Sequence, residues 1–254
     1  MLAGQDHTSR TRDGEAPVLP STGGPEAVEP HTRDQGSRSV DTVCIWGRAN
    51  SVNVQKVLWC CDELGVAFER RDAGMNFGVV DTPAYRSMNP NGRIPTLVDG
   101  DFVLWESNSI LRYLALRQIE RDPAAKAIYP EGAAARTRVD RWMDWVLSTL
   151  QPAERALFWG MVRTPPQDRD MAAINAAAKA SGEAWGVLDA YLAHGHHFAE
   201  GENLTLADIV LGAYARRWFG VQVENRPDLP RLQAWYDRLS KRSAFRQYVA
   251  PPLT

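Results

Sequence analysis

Residues 89–115 read NPNGRIPTLVDGDFVLWESNSILRYLA, and along them the spacing of apolar residues passes from that of strands to that of a helix. Pro95 opens the short run PTLV, and Asp99-Gly100 is the dipeptide that favours a two-residue type I′ hairpin turn. FVLW supplies the return strand. Glu106-Ser107 follows at once, and Ile110, Leu111 and Leu114 then recur at helical spacing. The stretch is expected to run strand, tight turn, strand, helix. Ser107 falls at or near the first helical turn, where a hydroxyl and free backbone N–H groups form an anion site. Ile94-Pro95 precedes the hairpin, and X-Pro is the only common place for a cis peptide bond.

Upstream, TVCIW reads as a buried strand. GRANSVNVQ then turns into a helix with Val54, Val57, Leu58 and Leu64 apolar, and Gly65 ends it. VAFERRD is a second strand, AGMNFGVVD a glycine-punctuated loop, and TPAYRSM a short helix leading to Asn89. The order β-α-β-α-β-β-α suits a thioredoxin-like α/β domain, with a right-handed crossover in its first unit. Downstream, QIERDPAAKAIYPEG is a linker, and everything beyond it is helical in pattern. Val139, Trp142, Met143, Val146 and Leu150 mark one helix face; Ile174, Ala178, Trp185, Leu188 and Leu192 mark another. Thr205 and Asp208 have capping-box spacing, read as purely structural, and Pro230 and Leu232 start a last helical segment.

The expected organisation is a disordered tail over residues 1–40, a thioredoxin-like N-terminal domain over 41–118, a linker over 119–131 and an all-α C-terminal helix bundle over 132–254. The tail has no aromatic residue and is dominated by Gly, Pro, Ser, Thr and charged residues, too little apolar surface to offset ordering entropy. Across the 254 residues the apolar fraction is 44%, the charged fraction 24% and the net charge −2. That balance gives no electrostatic case for nucleic acid or an anionic membrane. No apolar run approaches the roughly 20 residues that span a bilayer, and the N-terminus lacks a secretory layout. Cys44, Cys60 and Cys61 suit a reducing compartment better than a disulfide framework. The expectation is a soluble cytoplasmic protein.

NPNG-x-IPTLVD followed by the WESNSILRYLA helix resembles the glutathione-binding half of the cytosolic glutathione S-transferases, and the resemblance extends from about Thr42 to the C-terminus. It implies a cis Ile94-Pro95 bond that presents the Ile94 backbone to the cysteinyl unit of glutathione. It also implies that Glu106 and Ser107 hold the γ-glutamyl end, which carries both an ammonium and a carboxylate. A glutamate suits the first and a helix N-terminus with a hydroxyl suits the second. Arg93 or Asn91, and Lys56 as a further cation, are candidates for the glycyl carboxylate. A homodimer is a further implication.

Such an enzyme must hold the tripeptide thiol as a thiolate, the nucleophilic form. A helix N-terminus beside a hydrogen-bond donor lowers a thiol pKa from about 8.5 into the range of roughly 3.5–7.5. Ser51 stands where theta-like and delta-like members carry their serine, and Asn53 where nu-like bacterial members carry an asparagine. Either side chain donates to sulfur, and either also serves as an ordinary cap. Trp46 occupies the place of the catalytic tyrosine of other classes. Cys60 and Cys61 lie two to three turns into the helix, where they pack.

The electrophile site is expected between the two domains, near Trp142, Arg155 and Trp159, with Trp145, Phe158 and Arg163 close by in sequence. Aromatic stripes at helical spacing are more often core, and Trp142 carries that reading too. The partners are glutathione as cosubstrate and a small hydrophobic or aromatic electrophile, with Trp and Arg favouring a flat, partly anionic one. No metal is expected: His194, His196 and His197 have no acidic or Cys partner at ligand spacing. The expected activity is conjugation of the glutathione thiolate to that electrophile, a detoxifying transferase reaction of serine or asparagine type. Glutathione-dependent disulfide reduction or dehalogenation on the same site, and a non-catalytic interaction module, are the rivals.

Overall fold

The computed structural model describes residues 42–254, so the tail expected over residues 1–40 lies outside the described residues. Four short strands form one sheet: β1 (Val43–Trp46), β2 (Phe68–Arg71), β3 (Thr96–Asp99) and β4 (Phe102–Trp105), in the order β2-β1-β3-β4. β1 and β2 are parallel, joined through helix α1 (Val52–Glu63). β3 runs antiparallel to both β1 and β4. This is the thioredoxin-like arrangement expected from the alternation of elements. α2 (Pro83–Met88) precedes β3, and α3 (Ser107–Arg121) follows β4.

The hairpin departs from expectation by one residue. Asp99 pairs with Phe102, so the turn is Gly100-Asp101 rather than Asp99-Gly100. Only Gly100 has positive φ there, +59°, which is the type II′ pattern and not I′. The register is set by the sheet partners: Leu97, buried opposite Ile45, keeps the apolar face inward.

Helices alone follow: α4 (Ala133–Trp145), α5 (Gln151–Phe158), α6 (Met171–Leu192), α7 (Leu206–Gly220), α8 (Pro230–Ser240) and α9 (Ser243–Tyr248). α4 and α5 are continuous through a π-helical turn at Val146–Leu150, and a second one at Trp159–Arg163 extends α5. Pro152 explains the first: it offers no N–H to the carbonyl four residues back, and the widened turn relieves that mismatch. The register shift turns the residues after Leu150 relative to the stripe read from the sequence.

α1 is the common wall. It packs on α3 of its own half and on α7 and α9 of the helical half. Trp59 is fully buried and meets Phe245 edge-on at 5.2 Å between centroids. Its indole donates to Glu63 Oε1 at 2.8 Å, and Arg242 forks onto the same carboxylate at 2.6 and 2.5 Å. α7 comes close because residue 212 is glycine: a Cβ there would lie 3.0 Å from the Trp59 ring. At the start of α7, Asp208 is fully buried yet accepts four hydrogen bonds, from the Ala199 and Thr205 backbones, the Thr205 hydroxyl and the Trp235 indole.

Candidate active site

The Ile94-Pro95 peptide bond is cis. The loop that carries it is pinned from behind. Tyr85 donates its hydroxyl to the Arg93 carbonyl at 2.8 Å and shares a 2.9 Å bond with Thr96 Oγ1. Asn89 Nδ2 donates to the same carbonyl at 2.8 Å and to Thr96 Oγ1 at 3.1 Å. Four bonds on the four-residue segment 93–96 fix where Ile94 points.

α3 begins at Ser107, as the sequence implied. Its cap is Glu106, a non-glycine residue at φ +70° with an exposed side chain. Left-handed backbone at such a residue costs on the order of 1–3 kcal/mol and is typical of functional sites. Ser107 is only 5% exposed, and its hydroxyl has no hydrogen-bond partner among the described residues. The free N–H groups of α3 add to it.

A small cleft of about 170 Å³ joins these parts: Asn53, Asn91, Arg93, Ile94, Pro95, Glu106 and Ser107 line it, with Asn89 behind them and Leu147 and Gln151 opposite. Seven of the positions singled out in the sequence thereby meet: Asn53, Asn91, Arg93, Ile94, Pro95, Glu106 and Ser107. Ser51 does not line it. It is the N-cap of α1, 7% exposed, and its side chain makes no cap bond. Asn53, two residues on, has its Oδ1 buried without a partner. Both stand at the positive end of α1.

Lys56 does not reach the cleft. It is fully buried, donates to Asn108 Oδ1 at 2.7 Å, and burial pulls its pKa down to about 7 despite the opposing pull of Glu106. Trp142 is likewise elsewhere: it is 4% exposed, its indole donates to Glu200 at 2.8 Å, and it packs edge-on against Trp145 and Tyr191. That is core packing, the other reading of its helical stripe. Arg155 is exposed and Trp159 is 48% exposed; neither lines the cleft. Leu147, within the first π-turn, and Gln151, just after it, do line the cleft, and no pattern in the sequence signals that turn's register.

Cys60 and Cys61 are fully buried, and burial pushes both thiols up, away from the thiolate. Among the described residues, no group of three His, Cys, Asp or Glu side chains is placed to hold a metal ion. His196 instead stacks on Tyr191. A larger groove of about 550 Å³ runs along α6 past Ala178, Gly182 and Pro227 and is lined by none of these residues.

Residues 50–117 match the family model described as glutathione S-transferase, N-terminal domain, and residues 140–243 match the C-terminal domain. The chain is 39% identical over 214 residues to glutathione S-transferase GstB of Escherichia coli strain K12, covering 84% of this chain and all of that relative. A theta class glutathione S-transferase from Xanthomonas axonopodis pv. citri, solved with glutathione bound, superposes with TM-score 0.78 and 50% identity. That match covers 84% of this chain and 99% of the other. Dichloromethane dehalogenase of Methylorubrum extorquens is 25% identical over 190 residues, 71% of this chain and 65% of that relative.

Proposed function

The chain belongs to the glutathione S-transferase family, and from that premise we propose that its cleft binds glutathione and attacks a small electrophile with the bound sulfur. The observation that carries the assignment is the meeting of Asn53, the cis Ile94-Pro95 pair, Glu106 and Ser107 in one cleft. In this reading the Ile94 backbone pairs with the cysteinyl unit. Ser107 and the α3 amides take the γ-glutamyl carboxylate, and Glu106 takes its ammonium. Arg93, exposed at the rim, meets the glycyl carboxylate, with Asn91 beside it. The sulfur then comes to the start of α1, where Asn53 and the helix dipole favour its charged form and Ser51 supports the turn from behind. Holding both reactants side by side supplies much of the rate.

Residues 41–118 would form the glutathione-binding unit, 119–131 the linker and 132–254 the helical unit that contributes the electrophile side. Large apolar side chains remain exposed at Phe77, Phe102 and Trp105, and a homodimer would cover them. No described helix is long and apolar enough to cross a membrane, which agrees with a cytoplasmic enzyme. Incubation with glutathione and a panel of electrophiles, read by mass spectrometry, should yield the thioether with loss of the leaving group. No product above the uncatalysed rate across the panel would defeat the assignment. Sedimentation at micromolar concentration should give twice 28.3 kDa, and a clean monomer would remove the dimer.

A further inference from the structure

A lysine can extend to water from almost any helix face, and Lys56 does not. It is fully buried on α1, and its ammonium donates to Asn108 Oδ1 at 2.7 Å. The acceptor is a neutral amide, not a carboxylate. Asn108 Nδ2 in turn donates to the Met143 carbonyl at 2.8 Å. These two bonds tie α1 to α3 and α3 to α4 behind the cleft. Each anchor stands beside a lining residue. Asn53 is three positions before Lys56 and so its neighbour on the helix surface; Ser107 immediately precedes Asn108; Leu147 follows Met143 by about one turn. The chain Lys56–Asn108–Met143 therefore sets the spacing of three cleft walls.

A buried ammonium held by an amide is costly, because its hydration is lost and no opposite charge replaces it. Burial pulls the Lys56 pKa down to about 7; Glu106, at the start of α3, opposes this, and Arg112 and Arg217 reinforce it. Arg112 is itself held by Asp140 and Asp144 of α4. From α7 the Tyr214 ring faces Nζ, 6.0 Å from it. α9 meets α1 farther along, through Trp59 and Glu63. Near neutral pH Lys56 is thus divided between amine and ammonium, and a new negative charge nearby decides between them.

We propose that Lys56 is the buried counter-charge of bound glutathione: as the sulfur loses its proton at the start of α1, the Lys56 amine gains one. This rests on the glutathione-binding reading of the cleft and deepens it. The S–H bond breaks with its electron pair left on sulfur, and the proton goes to solvent. Nζ takes a proton from solvent onto its lone pair, so one S–H is lost and one N–H is gained. The coupling is reciprocal: the ammonium favours the thiolate by as much as the thiolate favours the ammonium. Lys56 touches neither the sulfur nor the rest of the tripeptide. It is a positioning residue, acting through Asn108 and through its charge.

Two counts on the unaltered protein at about pH 8 test this. Ultraviolet absorbance counts the thiolates formed on binding glutathione. Calorimetry in two buffers of different ionisation enthalpy counts the protons released. The expected result is a deficit, with about half a proton per glutathione fewer released than thiolates formed. Equal counts overturn the proposal and leave glutathione binding intact; no binding overturns both. Lys56→Met fills nearly the same space without a charge. It should close the deficit and raise the pKa of the bound thiol by about one unit. Asn108→Asp supplies a carboxylate that keeps the lysine charged with or without glutathione, so it should close the deficit while the thiol stays acidic. A deficit that persists in either folded variant means that another group takes the proton, and the proposal fails. The counts on the unaltered protein decide without either variant if they are equal.

Discussion

Replacing Asn53 by alanine should raise the pKa of glutathione bound in the cleft. The side chain lines the same cleft as Ile94, and no neighbour holds its amide in one orientation, because Oδ1 is buried without a partner. The amide is thus free to present Nδ2 to sulfur. A hydrogen bond to a charged group contributes about 1.5–3 kcal/mol net. At about 1.4 kcal/mol per unit, its loss shifts the thiol pKa upwards by roughly one to two units. The bond exists only with the thiolate, so affinity well below the titration should stay the same, while affinity at higher pH falls. Ultraviolet absorbance of the thiolate, titrated with pH on the complex, reads the shift directly. Ser51→Ala should move the curve less, since Ser51 is outside the cleft lining. A curve unmoved by Asn53→Ala but moved by Ser51→Ala would refute this reasoning. If neither variant moves it, the α1 amides carry the stabilisation.

Ser107→Ala should weaken glutathione binding by about 1–3 kcal/mol, measured by calorimetry, because it removes a donor to a charged group; unchanged affinity would remove Ser107 from the γ-glutamyl site. Tyr85→Phe deletes the bonds to the Arg93 carbonyl and Thr96 and should cost about 1–2 kcal/mol in denaturant unfolding; equal stability would show that Asn89 alone pins the loop. Asp208→Ala strands four donors and should cost about 3–5 kcal/mol, the range for breaking a buried charged network. For Glu154, burial raises the pKa from 4.5 to about 8, so the native state keeps a proton that the unfolded chain sheds. Its contribution is fully present below about 4.5 and is lost as pH rises towards 8. Glu154→Gln should therefore flatten the decline of Tm between pH 6 and pH 8.5; an unchanged slope would contradict the shift.

What the sequence made legible was local. The hairpin, the α3 start at Ser107, the α1 stop at Gly65 and the Asp208 cap each depend on residues within a few positions, and they stand where the pattern put them, give or take one residue at the turn. Most of the cleft was legible for the same reason, since Arg93, Ile94, Pro95, Glu106 and Ser107 lie on one short stretch. The opposite wall was not. Leu147 and Gln151 face the cleft through a π-turn whose register no apolar period announces, and Trp142 had the same spacing as a lining residue would have. Lys56 illustrates a further limit: a cation on a helix reads as solvent-facing until Asn108, far along the chain, is seen to receive it.

The double duty of α1 bears on how such chains can be recombined. Its first turn serves the cleft, and its middle and end are claimed by the other half, through Trp59 against Gly212 and Phe245 and through Glu63 gripped by Arg242. A gene fusion that grafts the first half of this chain onto the helices of a relative inherits one side of that joint only. Any larger residue at the position of Gly212 would run into Leu239 Cδ1 and crowd the indole, and loss of Arg242 would leave the Glu63 carboxylate without its cation. Exchange of halves between relatives is thus restricted to pairs that already agree on the glycine, the ring and the arginine, and these three positions should be inherited together.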